Sequence, residues 1–237
     1  MLEQREAMTD DPASRRELSR RRAVIFEERL NQSERAIETY SDMLVAHGHD
    51  RETLGALARL YDAAGRHQEL LDTLEAETML APPGPGRAAL YFRMAELLRE
   101  KLGDLPRALE CIAATLEDDP EHVGALAVLD ALVADEDGDY RKQAARLAAP
   151  RHEAAGRFDK LLSLLELLAT PMEGDDDDNE RLSSMRHAAR VAEQGTSDLG
   201  LAQRYIGRAV VMSPAHEDLP ALLVEYARLS DATGDWT

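Results

Sequence analysis

Residues 87–120 read RAALYFRMAELLREKLGDLPRALECIAATLEDDP and predict two amphipathic helices joined by a tight turn. On both sides of Gly103 and Asp104, apolar side chains recur every three or four residues, which places them on one face of a helix. Glycine permits a backbone turn that a Cβ atom would hinder, and Pro120 prevents the second helix from continuing. The stretch is therefore a helical hairpin whose apolar faces must be buried against other helices.

Diverged copies of this hairpin occur before and after it. A shift of 72 residues aligns Ala36 with Ala108. A further shift of 94 residues carries Ala108 to Ala202 and Pro120 to Pro214. Seventy-two residues is roughly twice the ~34 residues of one helix-turn-helix repeat. The chain is therefore predicted to be an array of helical repeats.

Helical periodicity extends over almost the whole chain, and no alternating strand pattern occurs. The predicted helices cover residues 13–30, 34–46, 51–64, 67–80, 87–102, 105–117, 121–133, 140–155, 158–168, 180–194, 198–212 and 217–233. Residues 1–12 are polar and are expected to fray. Residues 13–237 are predicted to form a single domain, irregular at 133–156, where Pro150 is expected to kink or split a helix because it removes one helical hydrogen bond.

Composition excludes several classes of function. The net charge of −18 disfavours nucleic acid as a partner, because such binding depends on neutralising phosphates with lysine and arginine. The single cysteine, Cys111, can form no disulfide within the chain, and its place beside Ile112 predicts a small core residue rather than a nucleophile. The sequence has no apolar signal segment and no run approaching the ~20 residues of a membrane span. A cytoplasmic protein without membrane contact is expected.

No motif indicates catalysis, a cofactor or a metal ion. His47 and His49 are better explained as a solvated turn than as a chelating pair. The acidic runs 135–139 and 174–178 could attract Ca²⁺, but neither has the spacing of an EF-hand with its final glutamate. We therefore expect a protein without enzyme activity, cofactor or metal site.

The repeated hairpin resembles the tetratricopeptide repeat (TPR). The family's first-helix signature is a bulky residue, then leucine and a small residue, an aromatic residue and a turn glycine. In this chain the five positions of that signature are occupied, at the family spacing, by Leu54, Leu57, Ala58, Tyr61 and Gly65. In the second helix of the 87–120 hairpin, Ala108 and Pro120 match the family, whereas Ile112 replaces its aromatic residue and Thr115 its second small residue. The first helix of that hairpin is also one residue longer than the family form.

The resemblance implies an all-α, right-handed solenoid of about twelve helices arranged as antiparallel pairs. In TPR-like solenoids the first helix of each repeat lines a concave face that binds a peptide or a partner protein. Positions flanking the matched core residues would form this binding surface: Arg59, Asp62, Phe92, Glu96 and Arg99. In the competing interpretation, Phe92 belongs to the core and the charged residues are solvated helix surface. The family's carboxylate clamp, which grips the C-terminal tails of chaperones, is not found.

The chain ends within a repeat. Leu223, Tyr226 and Gly234 match the first helix of another repeat and the turn after it, but the second helix is missing. A solenoid ordinarily ends in a polar capping helix, so a fragment of a longer protein is expected. Otherwise the apolar end at Leu222, Leu223 and Tyr226 should self-associate with another chain. Two further roles remain open: a regulatory segment of an enzyme such as a kinase or peptidase, and a ligand-sensing domain of a transcription regulator.

Overall fold

The computed structural model describes residues 11–136, 138–171, 178–212 and 216–236. These residues contain twelve α-helices and no strand. The helices are α1 (Pro12–Val24), α2 (Ser33–His47), α3 (Arg51–Ala63), α4 (His67–Leu80), α5 (Pro85–Leu97), α6 (Leu105–Asp118), α7 (Val123–Ala134), α8 (Arg141–Ala154), α9 (Phe158–Ala169), α10 (Asp178–Arg190), α11 (Leu199–Met212) and α12 (Leu219–Thr233). Residues 174–177 of the predicted acidic loop at 174–178 and most of the N-terminal segment lie outside the described residues, whereas Asp178 begins α10.

The helices form two compact units, Met1–His122 and Val123–Thr237. Within each unit, helices that follow one another in the chain pack side by side, and the turns between them reverse the chain direction. The predicted all-α class, built of antiparallel helix pairs, is confirmed. That residues 13–237 act as one solenoid stays a prediction.

The hairpin at 87–120 is formed by α5 and α6 in the first unit. Gly103 has a left-handed φ of 69°, and the Asp104 carboxylate accepts a hydrogen bond of 3.1 Å from the Arg107 backbone N–H at the start of α6. At the far end, the Arg87 guanidinium donates two hydrogen bonds, of 2.6 and 2.7 Å, to the Asp118 carboxylate. This contact lowers the pKa of Asp118 and joins the start of α5 to the end of α6. The hairpin is therefore closed at both ends.

Both departures of α6 from the family signature lie in the core. Ile112 is 1% exposed and Thr115 is fully buried. The Thr115 hydroxyl donates a hydrogen bond of 2.8 Å to the Cys111 carbonyl, so burial leaves it satisfied. Cys111 itself is half-buried against the core, and burial raises the pKa of its thiol to about 11. That pKa disfavours the thiolate and agrees with the prediction that Cys111 is a core residue.

Three helices end in a π-helical turn, and these turns mark equivalent places in the repeats. The turns Ile25–Arg29, Leu98–Leu102 and Val191–Gly195 directly follow α1, α5 and α10. One or two residues after each π turn, the chain has a residue with positive φ: Asn31, Gly103 and Ser197. Since a π turn holds one residue more than an α turn, it explains why the first helix of the 87–120 hairpin is one residue too long for the family form.

The other repeat boundary uses a glycine turn. Gly65 after α3 and Gly156 after α8 have φ values of 67° and 65°. In both turns the backbone N–H of the residue after the glycine donates a hydrogen bond of 2.9 Å to the carbonyl five residues earlier. Arg66 donates to Tyr61, and Arg157 donates to His152. The segment that was expected to be irregular therefore ends in a regular repeat turn. Its helix α8 is not split, because it continues through Pro150 to Ala154.

Ion pairs connect neighbouring repeats at a nearly constant spacing. Arg107 bonds Glu75 at 3.0 Å and Arg186 bonds Asp218 at 2.9 Å, each across 32 residues. Arg20 bonds Glu52 over the same separation. These groups are largely exposed, so the pairs contribute little to stability. They do specify which side chains of successive repeats lie opposite each other.

Candidate functional site

The five predicted binding residues lie on two helices of the first unit. Arg59 and Asp62 stand on α3, and Phe92 and Glu96 stand on α5. Arg99 lies in the π turn that follows α5. The helices α3 and α5 are the first helices of successive hairpins, which is the arrangement expected from the family resemblance. Whether these residues bind a partner stays a prediction.

Asp62 and Glu96 line one pocket of about 230 Å³, which we call the α3–α5 pocket. The rest of its wall comes from the start of α4 and from α5 with its π turn: His67, Leu70, Arg93, Leu97, Glu100 and Lys101. Across it, Arg93 donates a hydrogen bond of 2.7 Å to Asp62. Sequence reasoning missed Arg93, although its position 31 residues after an acidic residue fits the spacing of the other inter-repeat ion pairs.

The remaining three predicted residues point to other neighbours. Arg59 lies 3.5 Å from the Glu27 carboxylate and bonds the Gly55 carbonyl at 3.3 Å. Arg99 bonds the adjacent Glu100 at 2.7 Å. The ring of Phe92 is half-buried, with its centroid 4.6 Å from that of His122. The structure therefore brings two of the five residues, Asp62 and Glu96, together in one pocket, and the other three do not line it.

Several polar groups of the α3–α5 pocket have no partner among the described residues. Glu96 and Lys101 are exposed and form no hydrogen bond or ion pair there. The Nδ1 atom of His67 is buried and also has no hydrogen-bond partner. With Asp62 neutralised by Arg93, the carboxylate of Glu96 is the main anionic group that the pocket can offer to a ligand.

The second unit contains a counterpart of about 240 Å³, which we call the α8–α10 pocket. It is lined by Glu153, Phe158, His187, Arg190, Val191, Gln194 and Gly195. Aligned by the repeats, these positions correspond to Asp62, His67, Arg93, Glu96, Leu97, Glu100 and Lys101. Both pockets thus form where a helix that ends in a glycine turn meets the next helix with a π turn, a distortion often found at functional sites.

The two pockets differ in charge. Arg190 replaces Glu96, and among the described residues it has no hydrogen bond or ion pair. A polar contact occupies the equivalent place at the rim, since a His187 ring nitrogen lies within hydrogen-bonding distance of the Glu153 carboxylate, at 2.9 Å. Gly195 gives space to the Phe158 ring, because a Cβ atom at Gly195 would lie 3.0 Å from it. The same backbone site therefore presents an acidic group in the first unit and a basic group in the second.

Neither pocket has the groups of a metal centre. Among the described residues, no three His, Cys, Asp or Glu side chains are close enough to hold a metal ion. His47 ends α2, and neither it nor His49 belongs to such a group in the described part of the chain. Within those residues, no helix combines the length and the apolar character needed to cross a bilayer.

Among known proteins, one family model matches part of the chain. Residues 53–85, which span most of α3, all of α4 and the loop behind it, match the family model of the tetratricopeptide repeat. A comparison with curated proteins finds no match.

Solved structures align over most of the chain. YrrB, described as a TPR protein with an unusual peptide-binding site, is 15% identical over 89% of this chain and 91% of its own, with a TM-score of 0.35. A tetratricopeptide repeat protein from Parabacteroides merdae is 14% identical over 94% and 88%, with a TM-score of 0.34. The TPR2AB domain of yeast Sti1, in complex with an HSP90 peptide, is 16% identical over 93% and 85%, with a TM-score of 0.35.

Proposed function

Because this chain carries a tetratricopeptide repeat at residues 53–85, we propose that it is a non-catalytic scaffold that binds a peptide or a partner protein. The binding surface is the face formed by the first helices of the repeats, with Arg59, Asp62, Phe92, Glu96 and Arg99 as contact residues. The protein acts in the cytoplasm by holding its partner, and no step of bond chemistry is involved.

The α3–α5 pocket carries this proposal. Its volume of about 230 Å³ suits one side chain of a ligand rather than a whole small molecule, for which pockets of roughly 300–1,000 Å³ are typical. Glu96 supplies an unpaired carboxylate at its wall, and Leu97 supplies apolar surface beside it. An arginine or lysine side chain fits both features, because its methylene stem can lie on apolar surface while its head pairs with a carboxylate.

Residues around the pocket supply the rest of the contact surface. The half-buried ring of Phe92 offers a flat apolar face, and aromatic residues are favoured at interfaces. Arg59 and Arg99 hold their intramolecular partners only through exposed contacts, so acceptors on a peptide backbone can compete for them. We therefore expect a peptide with one basic side chain in the pocket and its backbone along α3 and α5.

A peptide array tests this expectation. Each peptide on the array has Arg, Lys, Glu or Ala as its central residue, and the flanking residues vary. The array is probed with the full protein chain. Wild-type protein should prefer Arg and Lys at the centre. Glu96→Arg, which introduces the charge found in the α8–α10 pocket, should weaken binding to those peptides about tenfold.

The control is Glu110→Arg, which makes the same charge change at an exposed site on α6 outside the pocket. It should leave the preference intact. Equal losses for both variants would show that only net charge matters. An array without any preference at the central residue would remove the α3–α5 pocket from the proposed function.

A further inference from the structure

A second concave surface lies in the second unit, between α11 and α12 and against the end of α9. Its volume is about 1210 Å³. One wall is a single face of α11, formed by Gly200, Gln203, Arg204, Gly207, Arg208 and Val211. These positions span three turns, or about 16 Å at 1.5 Å per residue. We call this surface the α11–α12 groove.

The groove exposes apolar side chains that a folded chain usually covers. Val211 is 79% exposed and Leu223 on the opposite wall is 48% exposed. Val210 and Met212 extend the apolar lining along the end of α11. A contiguous apolar patch of this kind, bordered by polar residues, is typical of an interaction surface.

Gln203 lies in this groove, and other residues of the protein hold its amide in hydrogen bonds. Its side-chain amide donates a hydrogen bond of 3.1 Å to the Ser230 hydroxyl and another of 2.7 Å to the Asp235 carbonyl. Its oxygen accepts a hydrogen bond of 2.7 Å from the Thr233 hydroxyl. Both donors and one of the two acceptor sites are thus used within the protein, so this amide has no N–H left for a ligand.

Charge makes the groove selective. Arg204 is exposed and, in the part of the chain that the structure describes, forms no hydrogen bond or ion pair. Arg208, one turn further on, has a loose partner, since its guanidinium is 3.7 Å from the Glu166 carboxylate. Two arginines on the rim of an apolar groove stand out in a chain of net charge −18, and they favour an anionic ligand.

We propose that the α11–α12 groove binds an amphipathic helix of a partner protein, with apolar residues against Val211 and Leu223 and an acidic residue against Arg204. The volume exceeds the roughly 300–1,000 Å³ of small-molecule pockets, and the length matches three helical turns. A helix laid in an apolar groove places anchors at i, i+3 or i+4 and i+7 on one side, which is the spacing that α11 itself presents.

Three dye-labelled peptides of three helical turns test the proposal by fluorescence anisotropy with the full chain. The first has leucines on one face and glutamates beside them, the second has lysines in place of the glutamates, and the third has the first composition in shuffled order. The glutamate peptide should bind saturably. The lysine peptide should bind about tenfold more weakly, and the shuffled peptide should not bind.

Two variants locate the site. Arg204→Glu should reverse the preference between the glutamate and lysine peptides, which a merely damaged fold would not do. Leu223→Asp should abolish binding of both. The control Arg29→Glu removes an exposed cation of the first unit that lines neither the α3–α5 pocket nor the α11–α12 groove, and it should change nothing.

Three outcomes would overturn the proposal. Binding of the shuffled peptide with equal affinity would show non-specific adhesion, and an unchanged preference in Arg204→Glu would place the peptide elsewhere. Self-association in sedimentation equilibrium that Leu223→Asp abolishes, without peptide binding, would assign the groove to a second copy of this chain. None of these results involves Glu96, so the proposed function of the first unit stands or fails separately.

Discussion

Replacing Gly207 with alanine should fail to stabilise α11, although the same change inside an open helix is favourable. Glycine in a helix interior costs about 0.8–1.0 kcal/mol relative to alanine, so the substitution begins with that gain. A Cβ atom at Gly207, however, would lie 3.1 Å from Cε2 of Tyr226 on α12 and 3.7 Å from its Cδ2. The ring must move by a few tenths of an ångström, at a cost of about 0.5–1.5 kcal/mol. The two effects cancel to within about 0.7 kcal/mol.

Gly55 provides the matched control. It lies in the interior of α3, and a Cβ atom added there would meet no other atom within 4 Å. Gly55→Ala should therefore raise the free energy of unfolding by the full amount, about 0.8–1.0 kcal/mol. Equilibrium unfolding in urea, followed by far-UV circular dichroism, measures both changes as shifts in midpoint at constant slope.

A double-mutant cycle identifies the cause. In a Tyr226→Ala background the ring is gone, so Gly207→Ala should recover a stabilisation of about 0.8–1.0 kcal/mol. The coupling between the two sites should then be about 1 kcal/mol. If Gly207→Ala stabilises the protein equally with and without the ring, then α11 and α12 are not as close at this point as the structure shows.

Three further predictions concern the core and its ionisable groups. Leu98→Ala empties a site that is 1% exposed in the π turn after α5, so unfolding in urea should show a loss of about 2–5 kcal/mol; a smaller loss would mean that the turn collapses onto the cavity. His152 is 2% exposed, and burial lowers its pKa from 6.5 despite Asp130 at 3.4 Å. Its protonation therefore favours the unfolded chain, and the melting temperature should fall as the pH drops below about 6.5, less steeply in His152→Gln. Cys111 has its pKa raised from 9.0 to about 11, so iodoacetamide should alkylate it about a hundredfold more slowly than a free cysteine, and urea should remove the difference.

Helix positions and repeat register could be predicted from the sequence because both depend on short-range interactions. The 72- and 94-residue shifts read from alanines and prolines recur in the backbone, since they separate the positive-φ residues Asn31, Gly103 and Ser197. Gly65, assigned to the repeat turn by its spacing, has the left-handed φ that this turn requires. The extra residue before Gly103 was also visible, although its π-helical form was not.

The composition of the candidate pocket was only partly predictable. Asp62 and Glu96 were identified from the family resemblance, as positions flanking the matched core residues, but Arg93 and His67 were not. A pocket wall depends on which side chains of two successive helices face each other, and that is decided by packing rather than by local periodicity. For the same reason Arg59 and Arg99, equally plausible in sequence, have intramolecular partners in Glu27 and Glu100.

In residues 87–120, the features determined by the sequence alone can be separated from those decided by the tertiary structure. The sequence alone determined two helices, a turn and an apolar seam, because periodicity, glycine and proline act within a few residues. The tertiary structure decided that Arg87 pairs with Asp118, that Glu96 lines a pocket with residues of α3 and α4, and that Arg190 lines the equivalent pocket of the second unit. Those features depend on contacts between residues about one repeat apart or more, and such contacts exist only after the helices have packed.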